Sequence, residues 1–273
     1  MKLIDFDGLF DEKLAQYVAE NKDKHSEKQW EDVIPKLYKK FGDTRIAKIG
    51  CTPKEYYARM SDSELVETLS AHLSQDVPVS EFLCNEIENR GEVETLLPLL
   101  QSDDTQTVSY AVNLIGEDAR AFDCYFDILE GDRLDEEIRS DLTDILRLHA
   151  DEVKDKALAL YRAGKAKTYM LEILSRVCVR TDEIYDLLLG EFHAADDCSV
   201  YAGYLAAYGD ERALPVLLRR IEDRSIGFVE FQELKYAIEA LGGEYDESRD
   251  FSGDKDYLAI EAASAKELGG LKS

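Results

Sequence analysis

Residues 201–223 constrain the fold of this chain more than any other stretch of its sequence. They read YAGYLAAYGDERALPVLLRRIED, and the glycine and aspartate in the middle separate two helix-forming segments. Gly209 can adopt the left-handed backbone conformation that ends a helix, and Asp210 can accept hydrogen bonds from the free N–H groups of the next helix. The second segment carries four apolar residues at the spacing of one helix face: Leu214, Leu217, Leu218 and Ile221. The stretch therefore predicts two helices joined by a tight turn.

The same plan recurs throughout residues 91–243, where helix-forming segments come in five successive pairs. Glycines close the clearest second helices at positions 116, 209 and 242, which are 93 and 33 residues apart. Because 93 is three times 31, the pattern repeats every 31–33 residues, enough for two helices of about 12 residues with short turns. We therefore predict an all-α fold, an α-solenoid of about five antiparallel helix pairs.

Two flanking regions differ from this repeat. Residues 1–90 predict an irregular N-terminal helical region, with Trp30 as the anchor of its core and capping boxes at Thr52 and Ser61. Residues 244–273 predict an acidic loop followed by a C-terminal helix that caps the last pair. The side chains expected to cover that pair are Leu258, Ile260, Ala263 and Leu268.

The opening GDERALPVLL of residues 209–218 resembles the start of a short HEAT-like repeat, of the type found in bilin lyases. Residues 92–100 together with 110–116 resemble a complete unit, and Pro98 and Pro215 stand in the first helix, where such repeats often carry proline. The resemblance implies an α-solenoid over residues 91–243. Proteins of this class scaffold, bind other proteins or occasionally catalyse, so the fold alone does not choose among these functions.

The charge of the chain limits its partners. Lys and Arg number 33 against 58 Asp and Glu, a net charge of −25, and residues 91–273 alone carry 20 basic against 40 acidic side chains. Such a surface repels phosphate backbones, which argues against nucleic acid and against a DNA glycosylase of the HEAT-like class. The excess of Asp and Glu side chains favours a basic protein partner; alternatively, these side chains serve only as a solvated surface.

No stretch predicts a membrane span or a secretory signal. No window reaches the roughly 18–20 apolar residues that a span requires, and the first residues, MKLIDFDGLFDEK, place acids within the short apolar run. We therefore expect a cytoplasmic protein that does not bind membranes, and we expect a monomer.

Catalytic signatures are absent from the sequence. There is no GxSxG, P-loop or GxGxxG motif, the five cysteines form no CxxC pair, and no histidine precedes a glutamate as in the HEAT-repeat di-iron hydroxylases. The densest candidate metal site is the cluster of His193, Asp196, Asp197 and Cys198, whose spacing also fits a loop that caps the next helix. The loop is the favoured interpretation, with Cys198 as a buried thiol. We expect no catalytic residue, cofactor or metal.

What remains as a candidate site is a surface. In α-solenoids the second helices line the concave side, and here they carry tyrosines among acids. The predicted partner-binding residues are Tyr110, Asn113, Tyr201, Tyr204, Tyr208, Glu230, Glu233 and Tyr236. Alternatively, the rings pack between repeats. We predict a non-enzymatic protein that binds a basic protein or peptide; the alternatives are an immunity protein that neutralises a basic toxin and an enzyme of the HEAT-repeat lyase type.

Overall fold

The computed structural model describes residues 3–22 and 24–270, and these residues form helices joined by turns and loops. No β-strand occurs in the described ranges; the one extended pairing there is an isolated antiparallel bridge between Ile46 and Cys51. The predicted all-α class is therefore confirmed. The chain divides into two compact units, Met1–Leu142 and Thr143–Ser273, and the domain boundaries predicted at residues 90 and 243 stay predictions.

The first unit contains seven α-helices and the beginning of an eighth, which crosses the division between the units. They are α1 (Phe6–Asn21), α2 (Glu27–Gly42), α3 (Pro53–Ala58), α4 (Asp62–Ser74), α5 (Glu81–Arg90), α6 (Thr105–Ile115), α7 (Phe122–Glu130) and α8 (Glu136–Leu148).

The N-terminal helices pack around aromatic and leucine side chains other than the predicted anchor. Phe6 and Tyr57 are buried with ring centroids 5.5 Å apart, and Leu65, Leu69 and Leu83 are buried in the same unit. Trp30 is only half-buried; its ring contacts those of Tyr17 and His25. The prediction for Trp30 was wrong because a single large side chain at a helix start can lie at the edge of a core.

Both predicted capping boxes are present. The Thr52 hydroxyl accepts the Glu55 N–H at 3.1 Å, and the Glu55 carboxylate accepts the Thr52 N–H at 3.0 Å. Ser61 and Glu64 make the same reciprocal pair at the start of α4. These bonds satisfy N–H groups that have no partner inside the helix.

The first predicted pair departs from its expected form. Residues 93–101 form two short 3₁₀ segments, Val93–Thr95 and Leu97–Gln101, where an α-helix was predicted. Pro98 has no N–H to donate to the carbonyl four residues earlier, and the turn tightens to bonds three residues apart, such as Leu99 N–H to Leu96 O at 2.9 Å.

The apolar stripe of α8 also differs from its prediction at one end. The sequence indicated Leu134, Ile138, Leu142, Ile145 and Leu148, yet Leu148 is 68% exposed and Leu146 is buried. The buried apolar positions within the helix, Ile138, Leu142 and Leu146, are four residues apart, so the last turn presents Leu146 to the interior.

The second unit holds the remaining helices. They are α9 (Ala150–Arg162), α10 (Lys167–Leu174), α11 (Asp182–Ala194), α12 (Ser199–Tyr208), α13 (Leu214–Ile221), α14 (Phe228–Ala240) and α15 (Lys255–Gly270). Helices α9 and α10, α11 and α12, and α13 and α14 pack in pairs, as the sequence predicts, and α12 contacts both α10 and α14. The second helices of the last three pairs are therefore neighbours.

The turn between α12 and α13 has the predicted chemistry. Gly209 ends α12 with φ of 71°, and the Asp210 carboxylate accepts the Arg212 N–H at 3.0 Å and pairs with its guanidinium. The first unit has a related turn after α6: Gly116 has φ of 59°, and Asp118 binds the N–H and guanidinium of Arg120. The pairing of aspartate with arginine is common to both turns, whereas the glycines differ, with ψ of −129° at Gly116 and 26° at Gly209.

The C-terminal cover of α13 and α14 uses different residues from those predicted. Leu258, Ile260 and Ala263 are exposed, and the side chain of Leu268 lies outside the described residues. The loop before α15 supplies the cover instead, with the Arg249 guanidinium 4.7 Å from the Phe231 ring centroid. Other aromatic contacts in this cover involve Tyr245, Phe251 and Tyr257.

The Asp118 carboxylate in the turn after α6 predicts how stability depends on acidic pH. The hydrogen bonds and charge of Arg120 lower the pKa of Asp118 to about 2. Because the folded pKa lies below the unfolded one, the stabilisation is present above pH 4 or so and disappears as the pH falls through the folded pKa. Asp118→Asn keeps a capping side chain but loses the charge. After allowance for solvent screening, the free energy of unfolding near pH 6 should therefore be about 1 kcal/mol higher for wild type than for this variant.

Urea unfolding of both proteins at several pH values measures this difference. The gap between them should close as the pH falls from about 4 to about 2. If the difference in unfolding free energy stays constant over that range, the effect of Asp118→Asn comes from the changed geometry of the side chain and not from its lost charge.

Candidate functional site

An open groove crosses three helices of the second unit, and we call it the α12 groove. It has a volume of about 420 Å³ and lies on α12 with walls from the adjoining ends of α10 and α14. Its lining includes charged, apolar and aromatic side chains: Glu172, Arg176, Val200, Tyr204, Val229 and Glu233. The groove therefore lies on the second helices of the predicted pairs, where the sequence placed the candidate surface.

The sequence of α12 explains why its outer side is open. Val200, Gly203, Tyr204 and Ala207 follow the i, i+3, i+4, i+7 spacing of one helix face, while Ala202 and Leu205 are buried on the opposite side. A methyl group at Gly203 would meet no atom within 4 Å. Small residues on the floor thus leave room for an approaching side chain.

The groove exposes apolar surface. Val200 on α12 is 58% exposed and Val229 on α14 is 39% exposed, and both line the groove together with the half-buried Tyr204. Single exposed apolar residues are common, but two within one concave site with an aromatic ring are typical of a contact surface.

Charged groups frame this apolar centre. A Glu172 carboxylate oxygen lies 3.0 Å from the Arg147 guanidinium, which also pairs with Asp144 at 3.1 Å. Burial, followed by the nearby Glu172 charge, raises the pKa of Tyr204 to about 12. The Tyr204 hydroxyl is therefore protonated at neutral pH and is able to donate a hydrogen bond to a partner.

The structure places the predicted residues of the second unit in three different settings. Tyr204 and Glu233 line the α12 groove, and the Tyr201 ring packs edge-on against Tyr204 with centroids 6.1 Å apart. Tyr236 is 60% exposed on α14 but does not line the groove. Tyr208 and Glu230 are buried and leave the predicted surface set.

Tyr208 acts as a structural clamp. Its hydroxyl accepts the Thr181 N–H at 2.6 Å and donates to the Thr181 carbonyl at 3.0 Å, which joins the end of α12 to the start of α11. The hydroxyl thus already donates one hydrogen bond and accepts another inside the protein, so it is not available to bind a partner.

Glu230 belongs to a buried cluster at the opposite end of α12. Its carboxylate lies 2.6 Å from the Arg220 guanidinium and 3.1 Å from the Cys198 sulfur. Burial, followed by the hydrogen bond to Glu230, raises the pKa of the Cys198 thiol to about 12. Cys198 is therefore a protonated, buried thiol, which agrees with the favoured interpretation of its sequence position.

The histidine and aspartate cluster before α12 has the geometry of a capping loop. The Asp197 carboxylate accepts the Ser199 N–H at 2.9 Å, the Asp196 carbonyl accepts from Arg220, and His193 is exposed. Within residues 3–22 and 24–270, no group of three or more His, Cys, Asp or Glu side chains is placed to hold a metal ion.

Tyr110 and Asn113 lie in a separate groove of the first unit, which we call the α6 groove. It has a volume of about 480 Å³ between α6 and α8. Four carboxylates line it, and its described lining residues include no lysine or arginine: Asp104, Asp135, Glu137 and Asp141. Hydrogen bonds from Thr107 lower the pKa of Asp104, so the Asp104 carboxylate stays ionised to lower pH.

Sequence reasoning missed Val200, Val229 and Arg176 as members of the site. Valine in a helix pattern is normally assigned to the core, and α12 carries apolar or small residues on nearly every side. The available signal was the row of valine, glycine, tyrosine and alanine on one face of α12, because small residues there leave space above the helix.

The fold and the grooves define an all-α protein whose described helices expose concave surfaces of contrasting chemistry. No family model, curated protein or solved structure matches the chain significantly. The resemblance to HEAT-like repeats therefore stays a prediction. Within the described ranges, no helix combines the length and the apolar character needed to cross a membrane.

Proposed function

We propose that this protein binds a protein partner through the α12 groove, and that the partner presents apolar and basic side chains. The observation that carries the proposal is the exposure of Val200 and Val229 in the groove that the half-buried Tyr204 also lines. Burial of that surface by a partner releases about 25 cal/mol for each Å² of apolar area. Tyrosine contributes a large contact at low entropic cost and is enriched among residues that dominate interface energies.

The acidic side chains of the protein support a basic partner. Glu233 lines the α12 groove together with Arg176 and with Glu172, which is paired with Arg147, and the α6 groove presents four carboxylates beside Tyr110. With a net charge of −25, the chain attracts basic surfaces and repels acidic ones at long range. Complementary charge of this kind raises the association rate and selects the partner.

We also propose that the helix pairs form a HEAT-like repeat that serves as a scaffold for these surfaces, without catalysis. Two observations support this: the neighbouring second helices α10, α12 and α14, and the aspartate and arginine pairs that follow α6 and α12. The five unpaired cysteines suit a reducing compartment, which supports a cytoplasmic location.

The test of this function compares two pairs of substitutions on the same protein. Tyr204→Ala with Glu233→Lys changes the α12 groove, whereas Tyr236→Ala with Glu239→Lys makes the same chemical changes on the exposed side of α14. The partner is first captured from host extract on the wild-type protein and identified, and its affinity for each purified variant is then measured.

The groove variant should bind the purified partner at least about tenfold more weakly, with most of the loss in the dissociation rate. The matched variant should bind like wild type, and both should keep the helical circular dichroism of the parent. Association should slow as salt rises, because the Debye length is about 8–10 Å near physiological ionic strength. Equal binding by both variants would remove the α12 groove from the interface.

A further inference from the structure

A third groove lies among the N-terminal helices, and we call it the N-terminal groove. Its volume is about 640 Å³, and α1, α2, α3 and α5 contribute to its lining. Its floor is aromatic: the Tyr38 and Phe82 rings stack with centroids 4.7 Å apart at an angle of 9°, and Phe10 meets Tyr38 edge-on at 4.9 Å.

The polar end of the floor is already engaged inside the protein. The Tyr38 hydroxyl donates to the Asp7 carboxylate at 2.6 Å, and burial followed by this bond raises the pKa of Tyr38. The floor therefore offers carbon surface to a ligand, and Ile34 and Pro35 of α2 extend that surface at its edge. An apolar side chain can be buried there with no competing demand for a hydrogen bond.

Two amides stand beside this floor on the exposed side of α5. Asn85 and Asn89 are exposed, and neither side-chain amide makes a hydrogen bond to another residue that the structure describes. They are one helical turn apart, which separates their attachment points by roughly 6 Å along the axis. In an extended peptide, alternate residues repeat at about 6.6–6.8 Å, close to that separation. Each amide can donate to one backbone group and accept from another.

One cation that lines the groove is not paired within the described part of the protein. Lys39 and Lys54 line the groove together with one carboxylate, Glu81. Asp43 holds Lys54 at 2.9 Å, whereas Lys39 makes no ion pair with a residue that the structure describes. Lys39 can therefore pair with an acidic side chain of a ligand.

We propose that the N-terminal groove binds an extended, acidic peptide segment of another protein. An apolar side chain of that segment contacts the Tyr38 and Phe82 floor, its backbone pairs with Asn85 and Asn89, and an acidic side chain reaches Lys39. The inference goes beyond the proposed function, because the site, the ligand charge and the binding mode all differ from those of the α12 groove.

The experiment titrates the full-length, ¹⁵N-labelled protein with three short synthetic peptides of equal length. One alternates glutamate with leucine, the second alternates lysine with leucine, and the third alternates glutamine with leucine. The side-chain amide signals of Asn85 and Asn89 are observed by nuclear magnetic resonance and assigned with the Asn85→Ala and Asn89→Ala variants. The glutamate peptide should shift both signals in a saturable manner, and it should bind more tightly than either of the other two.

Matched variants complete the test. Lys39→Glu should weaken the glutamate peptide about tenfold or more, and Lys36→Glu, an identical change at an exposed position of α2 outside the groove, should alter affinity by less than about twofold. Asn113→Ala in the α6 groove should leave binding unchanged. Preference for the lysine peptide, equal losses in the two lysine variants, or unshifted Asn85 and Asn89 signals would each overturn the proposal.

Discussion

Leu217→Ala is expected to lower the free energy of unfolding by about 2–5 kcal/mol, through lost burial together with the cavity that remains. Leu217 has no solvent exposure and lies on α13, at the centre of the best-defined helix pair. Neighbouring side chains in a close-packed core relax only partly into the space of a deleted isobutyl group. The loss should therefore appear as a lower urea midpoint with little change in the slope of the transition.

Leu148→Ala is the matched control for this result. It removes the same atoms from a leucine that is 68% exposed at the end of α8, so it should change stability by less than about 0.5 kcal/mol. A similar loss of unfolding free energy in the two variants would show that the burial of the leucine does not determine the destabilisation.

Glu230→Ala is expected to destabilise the protein by about 2–4 kcal/mol, because it leaves the Arg220 guanidinium without its closest carboxylate. The Glu230 side chain is 8% exposed and the Arg220 side chain is 29% exposed, so water screens the arginine in part and the loss should be smaller than for a fully buried pair. Arg220 also contacts Asp223 at 3.2 Å and the Asp196 carbonyl at 3.2 Å, and these contacts remain in the variant.

A second measurement separates this cluster from a general loss of stability. Glu230 helps to raise the pKa of the Cys198 thiol, so its removal should lower that pKa and speed the reaction of Cys198 with a thiol reagent under native conditions. Glu239→Ala, on an exposed turn of α14, should change neither stability nor thiol reactivity. An unaltered Cys198 rate in Glu230→Ala would contradict the role assigned to this carboxylate.

The features that the sequence predicted well depend on bonds between residues close together in the chain. The capping boxes at Thr52 and Ser61 and the turn at Gly209 and Asp210 each involve residues no more than three positions apart. Such geometry follows from backbone preference and a short side chain, whatever packs nearby. The all-α class follows in the same way from repeated apolar spacing.

The membership of the site was decided by the tertiary structure. Tyr204 and Tyr208 are one turn apart on α12, which predicts similar surroundings, yet Tyr204 lines the groove while Tyr208 binds Thr181, 27 residues away in sequence. Glu230 and Glu233 diverge likewise on α14: Arg220, on another helix, holds Glu230 in the interior, and Glu233 stays at the groove.

The physical reason is the difference between local and distant contacts. Local sequence predicted the capped helix starts and the turns between helices, because hydrogen bonds over three or four residues set those features. It did not determine which side of α12 faces water, since that helix carries apolar or small residues nearly all round. The contacts of α12 with α10, α11 and α14 made that choice, and they depend on residues far apart in the chain.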